Sequence, residues 1–229
     1  MYFGALGDIH GDFAHARRWI EQHPEVPFWV CVGDIASDEG KYEPLGAPVY
    51  WVHGNNENFD AIASGDLPPD LHYIPNGTAI DVGRVSGSRD GSLRVAALGG
   101  TFAPTWYETA ASALPHAPKG RSKVRDDKRR HFVHEQVEAC KVLREVDVFL
   151  THEAAKPFRP FPGGRGPDAG KGQVNEVLRV VRPRLHLFGH HHRFSEQDCE
   201  GVKSVGLDLV SRSCLLIDAG TMEYELRSS

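Results

Sequence analysis

The chain has 229 residues, a formal net charge of -5 at pH 7 and a sequence pI near 6.2. That length suits one well-buried core, so a single domain over residues 1–229 is expected, with inserted loops at about 102–130 and 154–172. The acidic balance excludes a surface that attracts nucleic acid through its overall field, and any such contact would have to be local.

Residues 2–6 form a short apolar run, read as a buried strand, that ends at Gly7-Asp8-Ile9-His10-Gly11-Asp12. Residues 13–23 read as a helix, with Asp12 as N-cap and Pro24 as its stop. Two further strands, 27–32 and 48–52, lead into Gly33-Asp34 and Gly54-Asn55-Asn56-Glu57. The strand-like pieces 79–82 and 93–98 flank a Gly/Ser/Arg-rich connection over 83–91, the composition of a hairpin. After the first insertion come a helix over 126–145 and a strand over 147–150 that delivers Thr151-His152-Glu153. Beyond the Pro/Gly/Arg loop, a helix over 173–181 and a strand over 185–188 lead into Gly189-His190-His191-His192. The alternating stretches 202–207 and 213–218 read as antiparallel strands at the end of the chain. Strand–helix alternation followed by hairpins predicts a mixed α/β layered fold. In such sheets ligands gather at the carboxyl ends of strands, where all five motifs fall.

The motifs share one donor chemistry. Asp8, His10, Asp34, Asn55, His152, His190 and His192 offer carboxylate and amide oxygens with imidazole nitrogens, a set that suits Mn²⁺, Fe or Zn²⁺ and not a thiolate site. Seven donors exceed the needs of one ion. If one carboxylate bridges, they divide between two ions roughly 3.5 to 4 Å apart. Cys31, Cys140, Cys199 and Cys214 match no C-x-x-C pattern and read as reduced structural thiols. His191, between two proposed ligands on an extended segment, is expected to point away from the metals.

Taken together, D-x-H, G-D, G-N-N-E, a strand-ending His and G-H-x-H resemble the calcineurin-like metallophosphoesterase superfamily over about residues 6–192. The resemblance implies a four-layer αββα sandwich, two packed mixed β-sheets flanked by helices. It further implies that Asp8, His10, Asp34 and His192 hold one metal and that Asp34, Asn55, His152 and His190 hold the other, with Asp34 shared. A bridging water or hydroxide would attack phosphorus in line with the leaving oxygen. Two divalent ions are expected as cofactors, Mn²⁺ first, with Fe, Zn²⁺ or Ni²⁺ as alternatives.

One position departs from the family pattern. Asn56 stands where the family usually carries the histidine assigned as proton donor, and a carboxamide cannot act as a general acid near neutral pH. It can still contact a substrate phosphate, so phosphodiester hydrolysis is favoured over monoester hydrolysis. The alternatives are a phosphomonoesterase or protein phosphatase, a nuclease or RNA-debranching enzyme, and a non-catalytic metal-binding scaffold. The expected partner is a small phosphate ester or nucleotide, with no membrane. No apolar run approaches the roughly 20 residues that span a bilayer, and the N-terminal run leaves no room for a leader, so a cytoplasmic location is expected.

Several residues carry two readings. The basic run 119–130, with Arg159 and Arg165, lines a substrate entrance or forms a solvated face. Trp106, Tyr107, Phe158 and Phe161 stack on a base or anchor loops. His53 and His116 are candidates for a substitute proton donor.

Overall fold

Period-two burial along short strands sets the layering. The structure, a computed structural model, describes residues 1–83, 91–117, 126–161 and 166–229. Its first sheet contains β1 (Tyr2–Leu6), β2 (Trp29–Cys31), β3 (Val49–Trp51), β4 (Leu71–Tyr73), β13 (Ser213–Asp218) and β14 (Tyr224–Ser228), in the order β14-β13-β1-β2-β3-β4. The second contains β5 (Ala79–Val82), β6 (Leu93–Leu98), β9 (Val148–Thr151), β10 (Leu185–Phe188), β11 (Ser195–Cys199) and β12 (Val202–Gly206), in the order β11-β12-β10-β9-β6-β5. A third pair, β7 (Thr101–Phe102) with β8 (His131–Phe132), lies at the insertion.

Alternate residues of each central strand enter different apolar layers. Phe3, Ala5, Val30 and Val52 from the first sheet meet Val95, Ala97, Val148, Leu150, Leu185 and Leu187 from the second in one fully buried core. The opposite face of the first sheet, with Leu6, Trp29, Cys31, Val49 and Trp51, packs against Phe13, Ala16, Trp19 and Ile20 of helix α1 (Phe13–Gln22). The outer face of the second sheet, with Ala96, Leu98 and Phe149, packs against Val137 and Cys140 of α3 (His134–Lys141) and Val174, Val177 and Leu178 of α4 (Gly172–Val181). The result is helix, sheet, sheet, helix, the expected four-layer arrangement. All four cysteines are buried and unbridged.

Parallel pairing of β1, β2 and β3, and of β9 with β10, sends the five motif-bearing strands out at the same end of their sheets. The chain enters α1 as expected, with the Asp12 carboxylate accepting from the His15 N–H at 3.4 Å. One expectation needs correction. The helix expected over 126–145 is divided: residues 128–130 form a 3-10 turn, His131 and Phe132 pair with Thr101 and Phe102, and α3 starts only at His134. The Gln136 amide oxygen accepts from the Val133 N–H at 3.1 Å and closes that start. The tail stretches are strands with antiparallel neighbours, as expected, and they lie in different sheets. β12 pairs with β10 and β11 in the second sheet, whereas β13 lies between β1 and β14 in the first. A short helix, α2 (Phe59–Ser64), follows the third motif, capped by the Asn58 side chain.

Among the described residues no helix is long and apolar enough to cross a membrane. The connection 84–90, residues 119–125 of the basic run and Arg165 lie outside the described residues.

Candidate metal centre

The motifs converge because each strand end turns sharply. His10, Asp34, His190 and His192 have φ values of 48°, 51°, 69° and 49°, in the left-handed region that costs a non-glycine residue about 1 kcal/mol or more. Four strained residues at one seam between two sheets mark a place where surrounding contacts fix the geometry against local preference.

Asp34 stands at the middle. Its Oδ2 is 3.5 Å from His10 Nε2 and 3.6 Å from His152 Nε2. Its Oδ1 accepts from the Asn56 N–H at 2.6 Å, which fixes the plane of the carboxylate. Gly54 permits this approach: a Cβ there would lie 2.0 Å from Asp34 Oδ1. Asp8 is held from the second sheet, where the His190 N–H reaches both of its oxygens, at 3.2 and 3.1 Å. Its Oδ2 lies 3.0 Å from His192 Nε2.

Two trios, Asp8 with His10 and His192, and Asp8 with Asp34 and His152, each place their donor atoms within 4.8 Å of one another. Asn55 joins the second side through Oδ1, 3.3 Å from His152 Nε2. His190 belongs to neither trio. Its ring centroid is 4.9 Å from that of His152, and its main chain contacts Asp8. Asp8, Asp34 and His152 are almost fully buried, whereas the side chains of His10 and His192 are 32% and 40% exposed, so that face of the centre opens to solvent.

The donor chemistry fits cations. His152 Nδ1 lies 2.9 Å from the Val32 carbonyl, so a neutral ring donates there and turns its Nε2 lone pair on the Asn55 amide oxygen. His10 Nε2 and His192 Nε2 face each other at 3.1 Å. In the bare chain a neutral ring protonated at Nε2 donates to the lone pair of the other, and in a loaded centre a metal would take up lone pairs from both rings. Electrostatics agree. The hydrogen bond to Asp8 leads the causes that raise the His192 pKa. Burial pushes the Asp8 carboxyl upward, yet the His192 hydrogen bond and the charge of His152 outweigh it and leave it below its ordinary value. Burial disfavours a charged His152, but Asp34 and Asp8 raise it overall. Burial lowers His190 to about 3, so it offers a free lone pair at neutral pH.

A family profile described as calcineurin-like phosphoesterase matches residues 1–194. The chain belongs to the calcineurin-like phosphoesterase family. Solved structures share its fold. The TT1561 protein of Thermus thermophilus superposes with a TM-score of 0.68 at 15% identity, over 99% of this chain and 98% of that one. Phosphopantetheinyl hydrolase from Mycobacterium tuberculosis gives 0.52 at 15% identity, over 91% and 89%. GAP50, the anchor in the inner membrane complex of Plasmodium, gives 0.54 at 12% identity, over 100% and 88%. A search of curated proteins finds no significant match. Membership in this metal-dependent phosphoesterase family accords with the two candidate metal-ligand groups.

Asn56 sits beside the centre. Its Nδ2 is 3.4 Å from His10 Nδ1 and 3.5 Å from the Ala36 carbonyl. His53, one candidate for a substitute proton donor, does not take its place. His53 is 5% exposed, bonded through Nδ1 to the Tyr73 hydroxyl at 2.8 Å, and burial lowers its pKa to about 3, so it carries no proton to give at neutral pH. His116 is exposed on the insertion. His191 does avoid the metal trios, but not by strand alternation: its neighbours are left-handed, and its ring packs on Phe158 with centroids 4.5 Å apart.

Glu57, the last residue of the third motif, has a role that sequence reasoning misses: its buried carboxylate joins two motif loops. Oε1 accepts from the Ile35 and Gly54 N–H groups at 3.0 and 3.3 Å, and Oε2 accepts from the Ala36 N–H at 3.2 Å and the Tyr42 hydroxyl at 2.9 Å. Glu153 likewise ties the insertion to the second sheet, accepting from the Phe102 N–H at 3.2 Å and facing Lys171 at 3.5 Å. Of the loop aromatics, Tyr107 packs on Phe102 and Phe132 and Phe158 on Phe188, both as loop anchors, whereas Phe161 is 57% exposed.

Proposed function

We propose that this chain is a dinuclear-metal-dependent phosphoesterase that prefers phosphodiesters, with Asp8, His10, Asp34, Asn55, His152, His190 and His192 as ligands. The observation that carries the reading is Asp34, whose Oδ2 stands between an imidazole of the first sheet and one of the second, at 3.5 and 3.6 Å. When bound, two divalent ions supply charge to polarise the phosphoryl group and to acidify an attacking water. Mn²⁺ is the expected ion, since the oxygen and imidazole donors suit it.

The chain's own groups orient that reaction. The Asn56 N–H keeps Asp34 Oδ2 turned to the seam, and the Val32 carbonyl keeps His152 Nε2 free. The Asn56 carboxamide, beside His10, donates a hydrogen bond to a phosphoryl oxygen but has no proton to give a departing alkoxide. Esters with good leaving groups and diesters, whose single charge suits a neutral contact, are therefore the better substrates. Purified protein loaded with Mn²⁺ is expected to cleave bis(p-nitrophenyl) phosphate at least about tenfold faster than p-nitrophenyl phosphate, and Asn56→His to narrow that ratio. Faster monoester cleavage by the native chain would reverse the preference.

A further inference from the structure

Each large sheet ends in an open strand on the same flank of the molecule, β14 in the first and β11 in the second. The two are neighbours, since the Tyr224 hydroxyl donates to the Glu196 carboxylate and the Tyr224 ring meets that of Phe194 with centroids 6.4 Å apart. A free edge presents a row of unpaired N–H and C=O groups, a template for one more strand. The side chains along it decide whether that strand is welcome.

Hydrogen-bond alternation fixes which groups of β14 face out. The Asp218 N–H donates to the Glu223 carbonyl at 2.8 Å and the Ser229 N–H to the Arg212 carbonyl at 3.0 Å, in the same register that sets Leu216 against Glu225 and Cys214 against Arg227. Positions 223, 225, 227 and 229 therefore bond inward to β13, and the N–H and C=O groups of Tyr224, Leu226 and Ser228 point outward. Among the described residues no strand lies on that side. Two copies of β14 laid antiparallel about a two-fold axis at Leu226 exchange both Leu226 backbone bonds and set Glu225 of each copy against Arg227 of the other. Those charge pairs are of the closer, non-hydrogen-bonded kind, in which facing side chains interact best. In the single chain Glu225 and Arg227 pair with each other along the strand, their side chains 56% and 46% exposed, and Leu226 is 40% exposed.

β11 supplies the contrast. Its exposed residues are Glu196 and Asp198, so antiparallel self-pairing about Gln197 sets carboxylate against carboxylate. Charge of one sign keeps an edge from pairing, whereas opposite charges two residues apart are complementary to themselves under a two-fold axis. We propose that the protein forms a two-fold homodimer through β14, which joins the six-stranded first sheets of two copies edge to edge, with Leu226 at the axis and two Glu225–Arg227 pairs across the junction.

Sedimentation equilibrium of the full chain tests this. At about 100 µM the wild type is expected to weigh as two copies of the 25.3 kDa chain. Glu225→Arg sets arginine against arginine at both pairs, and Arg227→Glu sets glutamate against glutamate, so each is expected to raise the dimer Kd by about tenfold or more. The double variant Glu225→Arg/Arg227→Glu restores opposite charges and is expected to return the Kd to within about threefold of wild type. Leu226→Pro removes an outward N–H and no bond to β13, and is expected to give monomers. Should one charge reversal fail to fold by circular dichroism, the other carries the test together with Leu226→Pro. A wild type that stays monomeric at that concentration overturns the proposal, as does a dimer that the folded single reversals leave unchanged. A double variant no tighter than the single ones equally rejects the two-fold pairing.

Discussion

The first sheet brings Asp8, Asp34 and Asn55 to the seam with a single imidazole, His10, whereas the second brings only imidazoles, His152, His190 and His192. Each half is oriented by the other. Asp8, from the first sheet, is held by the His190 N–H of the second, and His152, from the second, is held by the Val32 carbonyl of the first. Neither sheet organises its donors alone. The difference teaches that packing of the two sheets and the charge balance of the candidate centre depend on each other, because the oxygens are charged and buried while the imidazoles supply the compensating charge.

The largest expected effect falls on Asp34, the ligand proposed as shared. Gly54→Ala drives a methyl into Asp34 Oδ1, and metal content by plasma mass spectrometry is expected to collapse, with ester hydrolysis falling more than about hundredfold. Gly54 lies in a turn outside the strands and helices, so the far-ultraviolet circular dichroism is expected to be kept. A Gly54→Ala chain with two bound metals would show that Asp34 is not closely held.

The imidazole half can be sharpened through pH. His186, fully buried in β10, contacts the Thr151 hydroxyl at 2.8 Å and the Ser204 hydroxyl at 3.0 Å, and burial lowers its pKa from 6.5 to about 3. The unfolded chain therefore binds a proton below about 6.5 that the folded chain refuses until about 3. Stability from this group is fully present above 6.5 and is lost as pH falls through that window, on the order of 5 kcal/mol in all. In metal-free urea titrations His186→Gln is expected to flatten the slope between those limits. An unchanged slope would place the acid sensitivity elsewhere.

A smaller effect measures the coupling itself. If metals join the two halves, chelation removes about 2.7 kcal/mol at a metal concentration of a hundred times Kd, a drop in Tm of roughly 5 to 10 °C. Thermal scans with and without EDTA read it directly. Equal Tm values would mean that the sheets pack with no help from the centre.

Some of this architecture is legible in the chain and some is not. β1, β2, β3, β9 and β10 are apolar runs that stop at a glycine or a polar cluster, and burial on both faces is what makes them read so clearly. β11, with Ser195-Glu196-Gln197-Asp198-Cys199, and β14, with Tyr224-Glu225-Leu226-Arg227-Ser228, lie at sheet edges where solvent accepts polar residues, so neither carries an apolar signal. The helix expected over 126–145 fails because His131 and Phe132 find a strand partner thirty residues away, a choice that local propensity does not contain. The role of Glu57 is invisible in the chain because its donors, Ile35, Ala36, Gly54 and Tyr42, come together only in the fold.

By itself, the sequence determined the donor inventory, the strands that end in it and the asparagine at position 56, since residue type and hydrophobic period are local properties. Tertiary structure alone decided that Asp34 faces imidazoles from both sheets and that His190 holds Asp8 through its main chain. Those are relations between residues up to 182 positions apart, and only packing of two sheets across a common core brings them within a few ångströms.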